Sequence, residues 1–433
     1  MRVPISRPSS GQTEPPVGGA RVPRRPRVIW LQNQPDHYFV QMLDDLNAQD
    51  LFEYFGVFLC APPNGSALLE TPQRSPHVFL GISTNGEGHR LRPDALDLLR
   101  KLDFQAAIVG GYDSRLKVQV IKWCRRADQP VVLVADSNLR SERGDRPRDQ
   151  LRRFLKRVFL RHVIRRVDRI IPFNRFGVAY WRYYGCAADK IVRSTYFCDL
   201  REIAAAVASE RAEVLARYNF KTDQKIIFTA ARLAPEKALE LMVHAFGRSG
   251  LAQRGWIWAI AGDGPLRDQL RAAAGPLNNQ SLRFLGVVKP RDVPALARHS
   301  DLFVLPSRYE PHGIVVAEAM AVGTPVIASD VCGAAGDLVA RGKTGWIFRN
   351  GNEESLLRVL QRATSDQINL ADRRDDCRLA FENWYQRYSP LRVIPAVMAE
   401  LLAAGQMLRA RPDSPEKLSP PAAADRQAPD RVS

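Results

Sequence analysis

Short apolar runs return along this chain, each followed by a turn or a helix-like stretch, and that alternation constrains the fold more than any other feature. In the first half they are Val28–Leu31, Tyr54–Leu59, Val78–Leu80, Ala106–Val109 and Val131–Val134; the last two run into Gly110-Gly111 and Ala135-Asp136-Ser137. A second series follows: Ile226–Ala230, Trp256–Ala261, Leu282–Leu285, Leu302–Leu305, Val326–Ala328 and Trp346–Phe348. A strand that is apolar at consecutive positions has to be covered on both faces, which is the condition of a parallel sheet between helices. Two such series in 433 residues exceed what one core usually holds. The predicted fold class is α/β, with two doubly wound Rossmann-like domains facing each other across a cleft. Their expected limits are residues 27–200 and 201–384, with a helix at 385–405 returning to the first domain. Residues 1–26, rich in Pro, Gly, Ser and Arg, and the similar tail at 406–433 are expected to lack fixed structure.

Composition narrows the class. The chain is 45% hydrophobic and 25% charged, ordinary for a globular protein. No apolar run approaches the roughly 18 residues of a spanning helix, and the N-terminus lacks the apolar segment of a secretory signal. Cys60, Cys124, Cys186, Cys198, Cys332 and Cys377 are scattered without CxxC spacing, which argues against zinc and against a disulfide framework and favours a reducing cytoplasm. The formal charge is +17, of which +12 falls in residues 1–200. A basic surface suits anionic lipid, nucleic acid or an acidic substrate; no nucleic-acid-binding motif accompanies it. Residues 151–171 concentrate the charge. Leu151, Phe154, Leu155, Val158, His162 and Val163 follow helical spacing, with arginines and Lys156 filling most of the rest. Such a helix either covers the sheet or lies on an anionic membrane, which would place the protein at the inner face of that membrane.

The densest cluster of signals is Glu310–Asp330. Gly313 precedes a helical run, and Gly323-Thr324-Pro325 turns the chain into the buried strand Val326–Ala328. A helix N-terminus offers unpaired amides and a partial positive charge, so it suits phosphate. Glu310 lies just before that end and Glu318 within the second turn. Their carboxylates only accept hydrogen bonds, and sugar hydroxyls donate them.

With three further elements the resemblance becomes specific: Ala231-Arg232-Leu233-Ala234-Pro235-Glu236-Lys237, Ala261-Gly262-Asp263-Gly264-Pro265-Leu266, and Phe284-Leu285-Gly286. In this order and spacing the four resemble the retaining glycosyltransferases of GT-B fold, the large family-4 (glycosyl transferases group 1) type, over roughly residues 225–350. The resemblance implies a sugar transferred from a UDP- or GDP-type nucleotide donor to a glycan or lipid-linked acceptor, with retention of configuration and without a metal or other cofactor, as in polysaccharide biosynthesis. It implies that Arg232 and Lys237 neutralise the donor diphosphate. Glu318 would hold the ribose hydroxyls and Glu310 would lie near the donor sugar. The amides of Gly313, Ile314 and Val315 would contact phosphate or sugar, and Gly262-Asp263-Gly264 would form the turn beside the nucleotide. Reaction in this family passes through an oxocarbenium-like state with the donor phosphate as base.

The first half departs from the family's pattern. The loop after the first strand, Gln32-Asn33-Gln34-Pro35-Asp36-His37, has no glycine, and Ala135-Asp136-Ser137 stands where relatives often carry histidine. Asp136 is therefore the candidate contact to sugar from this domain, with a strand-end cap as the plainer alternative. Two other readings stay open. A dinucleotide-dependent oxidoreductase or epimerase would share the paired βα domains but lacks GxGxxG after the first strand. A catalytically silent, membrane-associated GT-B scaffold would explain the missing loop glycine and histidine.

Overall fold

The computed structural model describes residues 25–60, 74–83, 89–91, 94–141 and 147–409. Most of the two segments expected to lack fixed structure lies outside these residues. The strands are β1 (Arg27–Gln32), β2 (Glu53–Phe58), β3 (His77–Phe79), β4 (Gly81–Ser83), β5 (His89–Leu91), β6 (Ala106–Gly110), β7 (Val131–Ala135) and β8 (Arg169–Pro172), then β9 (Lys225–Ala230), β10 (Trp256–Ala261), β11 (Leu282–Gly286), β12 (Leu302–Leu305), β13 (Val326–Ser329) and β14 (Gly345–Phe348). They form two six-stranded sheets, ordered β3-β2-β1-β6-β7-β8 and β11-β10-β9-β12-β13-β14, and β4-β5 is a small antiparallel pair. Neighbours in both large sheets run parallel.

The two orders are the same doubly wound pattern. Its strand order reverses between β1 and β6 in the first sheet and between β9 and β12 in the second, where a crevice opens beyond the carboxyl ends. Apolar clusters cover both faces of each sheet. Ile29, Leu31, Val109 and Leu133 point to one face of the first, and Val28, Trp30, Ile108 and Val132 to the other. Ile227, Trp258 and Val304 lie opposite Phe228, Ala259 and Phe303 in the second. This is the α/β, two-domain GT-B architecture expected from the sequence.

The helix Pro390–Arg409 puts Ile394, Val397, Met398 and Leu401 into the core of the first sheet. The helix before it, Arg374–Tyr388, puts Phe381 and Trp384 into the core of the second. The chain changes domain at Ser389, between these two helices. Between the two sheets the helices Leu200–Ala208 and Arg211–Arg217 follow each other, separated at Ser209-Glu210.

The basic segment forms the helix Pro147–Ile164. Its C-terminal end packs on the first sheet through Leu160, Val163 and Ile164. Its N-terminal turns do not: Leu151, Phe154, Leu155 and Val158 are 57–63% exposed. Among the described residues no helix is long and apolar enough to cross a membrane.

Candidate active site

Three loops at the carboxyl ends of β9, β10 and β12 are joined backbone to backbone. Leu233 N donates to Asp263 O at 2.9 Å, Leu266 N returns to Leu233 O at 2.9 Å, and Arg308 N donates to Glu236 O at 2.8 Å. Such bonds need close approach, and glycine permits it. A Cβ on Gly262 would stand 2.0 Å from Ala231 O, and one on Gly264 2.5 Å from Leu233 O. Asp263 closes its own turn by accepting Gly264 N at 2.8 Å and pairing with Arg267 at 2.9 Å.

Lys237 ends the short 3₁₀ turn Pro235–Lys237, and its ammonium lies 2.6 Å from Glu310 Oε2. The same oxygen accepts from Ser307 Oγ at 3.0 Å. Arg232, on the same loop, is two-thirds exposed and folds onto Glu236 at 2.5 Å. The structure thus brings Lys237 and Glu310 into contact, while Arg232 stands free of Glu310 at the cleft surface.

Gly313, at φ 85°, caps the helix Ile314–Ala321. A side chain there would press on Cys332 Sγ at 2.7 Å and on Glu310 Cγ at 3.1 Å, so glycine lets Glu310 tuck beneath the helix start. Val316 N closes the first turn on Gly313 O at 3.0 Å. The amides of Ile314 and Val315 therefore precede the helical ladder as donors.

Glu318 lies one turn further, 4% exposed. Tyr38 of the first domain donates its hydroxyl to Glu318 Oε1 at 2.8 Å, and Oε2 has no partner. Burial pushes this carboxyl up to about 7; the Tyr38 bond opposes the shift and Glu202 adds to it. Other ties hold the domains around this point. Asn174 Nδ2 donates to Pro311 O at 2.8 Å, Asn138 Nδ2 to Val331 O at 2.9 Å, and Arg193 pairs with Asp337 at 2.5 Å. His312, the histidine beside Glu310, is buried against Tyr196 and Trp384. Burial first, and Arg193 second, drive its pKa down to about 3, so it packs as a neutral ring.

Asp136 is not with this group. It lines a cavity of about 410 Å³ at the switch point of the first sheet, between Gln32 at the end of β1 and Gly110 at the end of β6. Tyr196 donates to Asp136 Oδ2 at 3.1 Å, and burial raises its carboxyl. Tyr38 lines the cavity and also reaches Glu318, so one side chain links the two crevices. Sequence reasoning passed over Tyr38, Tyr196 and Asn174. Asn174 did carry a signal, since it caps the following helix through Gly177 N at 3.0 Å. Nothing local marked Tyr38, whose partner is 280 residues away.

The helix after β1 begins with Asp36, whose carboxylate accepts Phe39 N at 2.8 Å. A dinucleotide pyrophosphate at that helix end would meet a fixed negative charge, which weighs against the oxidoreductase reading.

Residues 210–380 match the model of the family described as glycosyl transferases, group 1. The chain is similar to an α-D-kanosaminyltransferase of Streptomyces kanamyceticus, 28% identical over 57% of this chain and 61% of that one. It is also similar to an uncharacterised glycosyltransferase of Methanocaldococcus jannaschii, 34% identical over 33% of this chain and 37% of that one. It therefore spans about three-fifths and about a third of these relatives' lengths. The Anabaena protein HepE, solved in complex with UDP, superposes with a TM-score of 0.64 at 17% identity over 87% of this chain and 100% of that chain. Residues 210–380 belong to the glycosyl transferases group 1 family, carried on a two-sheet fold of GT-B type.

Proposed function

We propose that the protein transfers a sugar from a UDP- or GDP-linked donor to a glycan or lipid-linked acceptor, with retention of configuration and without a metal. The observation that carries this reading is the contact of Lys237 with Glu310 next to the start of the Ile314–Ala321 helix, which also carries the buried Glu318. In this reading the donor diphosphate lies on the start of the Ile314–Ala321 helix. Arg232 and Lys237 supply the positive charge that a metal would otherwise bring to the departing nucleoside diphosphate. Arg232 offers a fork that swings from Glu236, and Lys237 a compact charge that exchanges Glu310 for phosphate. Freed of Lys237, Glu310 accepts hydroxyls of the donor sugar. Glu318, with an oxygen already unpartnered, accepts those of the ribose. Leaving-group charge is stabilised on the face from which the acceptor arrives, and the departing phosphate takes the acceptor's proton. Asp136, across the cleft, holds a sugar hydroxyl.

The acceptor's surroundings support a membrane-facing role at the inner leaflet. Phe159 of the basic helix stands 6.2 Å, ring to ring, from Tyr112, which lines the first-domain cavity. Beside the exposed Leu151, Phe154, Leu155 and Val158, a groove is lined by Arg125, Arg161, His162, Arg165 and Arg166. Apolar side chains flanked by arginines match the boundary between acyl chains and anionic headgroups.

Titration calorimetry with UDP and with GDP tests the donor half: one binds at or below millimolar concentration, and binding of neither refutes the reading. Donor turnover that survives intact in Glu310→Ala would remove the assigned site.

A further inference from the structure

The first-domain cavity is acidic in a chain whose net charge is +17. Asp36, Asp113 and Asp136 all line it, and among the described residues none that lines it is Lys or Arg. Lys117 lies beside them, but its side chain is 1% exposed and its ammonium is 2.7 Å from Asp113. Asn33 holds the other oxygen of Asp113 at 2.8 Å. That carboxylate is therefore balanced; although burial pushes it up, the bonds from Lys117 and Asn33 keep it below its ordinary value. Among the described residues Asp36 and Asp136 make no direct pair with a cation of this kind; His37 and Lys117 act on them only from a distance, more weakly than burial. Asp36 accepts a backbone amide and Asp136 a tyrosine hydroxyl, and burial raises both. His37, next to Asp36, pairs with Glu202 at 3.3 Å. The walls between the two carboxylates are largely aromatic, with Trp30, Tyr38, Phe173 and Tyr196.

We propose that this cavity receives the acceptor's reacting end as a polyhydroxylated ring bearing a protonated amine, held by Asp36 and Asp136, and that it rejects ends bearing phosphate or carboxylate. The inference rests on the sugar-transfer reading above and adds the chemical class of the acceptor. An ammonium between two under-neutralised carboxylates gains charged hydrogen bonds in a partly dry site, and ring hydroxyls find Asn33, Gln32 and Ser137. A phosphate in the same place would face like charge in a low dielectric. Any phosphate on a lipid-linked acceptor belongs instead on the arginine groove outside, beyond Phe159 and Tyr112.

The full chain is titrated by NMR with glucosamine, glucose and glucose 6-phosphate at about pH 6, where the amine is protonated. Glucosamine is expected to bind about tenfold more tightly than glucose, and glucose 6-phosphate more weakly than either. Asp36→Asn keeps the cap on Phe39 N while deleting the charge, and Asp136→Asn keeps the bond from Tyr196. Each should erase most of the amine's advantage, read as the ratio of glucosamine to glucose affinity on the same variant, whatever the variant does to glucose binding itself. Glucose 6-phosphate binding as tightly as glucosamine, an amine preference that persists in both variants, or no binding of any of the three overturns the proposal. UDP and GDP titrations on the same samples report separately on the sugar-transfer reading.

Discussion

Glu318→Gln separates the stability of the site from its use. The wild-type carboxyl is buried, with burial raising its pKa from 4.5 to about 7 in the folded chain. Below 4.5 the group is protonated in folded and unfolded states alike and costs nothing. Between 4.5 and 7 the unfolded chain ionises it and the folded chain does not, so stability falls as pH rises. Above 7 both states are ionised and the whole penalty is present. The shift corresponds to about 3 kcal/mol. Glutamine keeps the bond from Tyr38 and cannot ionise, so it removes the pH-dependent part alone. Any fixed cost of its unpartnered amide, about 1–3 kcal/mol, is shared by protonated Glu318 and cancels in the comparison. Urea unfolding at about pH 4.5 and pH 8, followed by tryptophan fluorescence, should show the variant gaining about 3 kcal/mol on wild type between the two conditions. Tyr38→Phe deletes the bond that lowers this pKa and should move the midpoint of the pH dependence upward. UDP binding should change in the opposite sense to stability, because amide nitrogen cannot accept a ribose hydroxyl. A loss of about tenfold at pH 8 is expected in the more stable variant. Parallel stability–pH curves for wild type and Glu318→Gln would mean that the carboxyl titrates normally, and the account of a strained, buried acceptor would fail.

Lys237→Ala should lower transfer by about 10²–10³-fold at a temperature where circular dichroism shows the variant folded; activity loss that merely tracks the unfolded fraction would refute its role at the donor phosphates. Phe154→Ser with Leu155→Ser should weaken co-sedimentation with anionic vesicles and leave thermal stability unchanged, since both side chains are about three-fifths exposed. Wild-type association should fall with salt, and equal binding to neutral and anionic vesicles would contradict the headgroup assignment. Arg193→Ala strands Asp337, whose side chain is 1% exposed, and should cost about 3 kcal/mol in chemical denaturation. A cost like that of a surface pair, below about 1 kcal/mol, would show that the domains do not depend on this tie.

What was legible in the sequence follows the range over which each physical rule acts. The strands were readable because burial on both faces demands consecutive apolar residues, and Ile227, Phe228, Trp258 and Val304 report that demand within a few positions. The turns at Gly262 and Gly313 were readable because no other residue tolerates the backbone approach or the positive φ there. The break at Ser389 had a local mark that apolar spacing obscured: Pro390 keeps the residue before it out of the helical region, and there the chain passes from the core of the second sheet to that of the first. The basic helix shows the same limit. Its stripe was read through Leu151, Phe154, Leu155, Val158, His162 and Val163, yet among these only Val163 is buried; Leu160 and Ile164 join it in the core. Periodicity identifies an apolar face without identifying what covers it, and here four of its apolar residues, Leu151, Phe154, Leu155 and Val158, stay uncovered near Arg125, Arg161, Arg165 and Arg166. Longer range still is the pairing of Tyr38 with Glu318, set by how two independently patterned sheets meet. A motif search finds Glu318 because its helix is local. It misses Tyr38, although that hydroxyl holds Oε1 and so leaves Oε2 as the oxygen that meets the ribose in the proposed donor complex. In that proposal Tyr38 fixes which oxygen of Glu318 faces the nucleotide, so the first domain would shape the donor site through a residue that its own sequence does not mark.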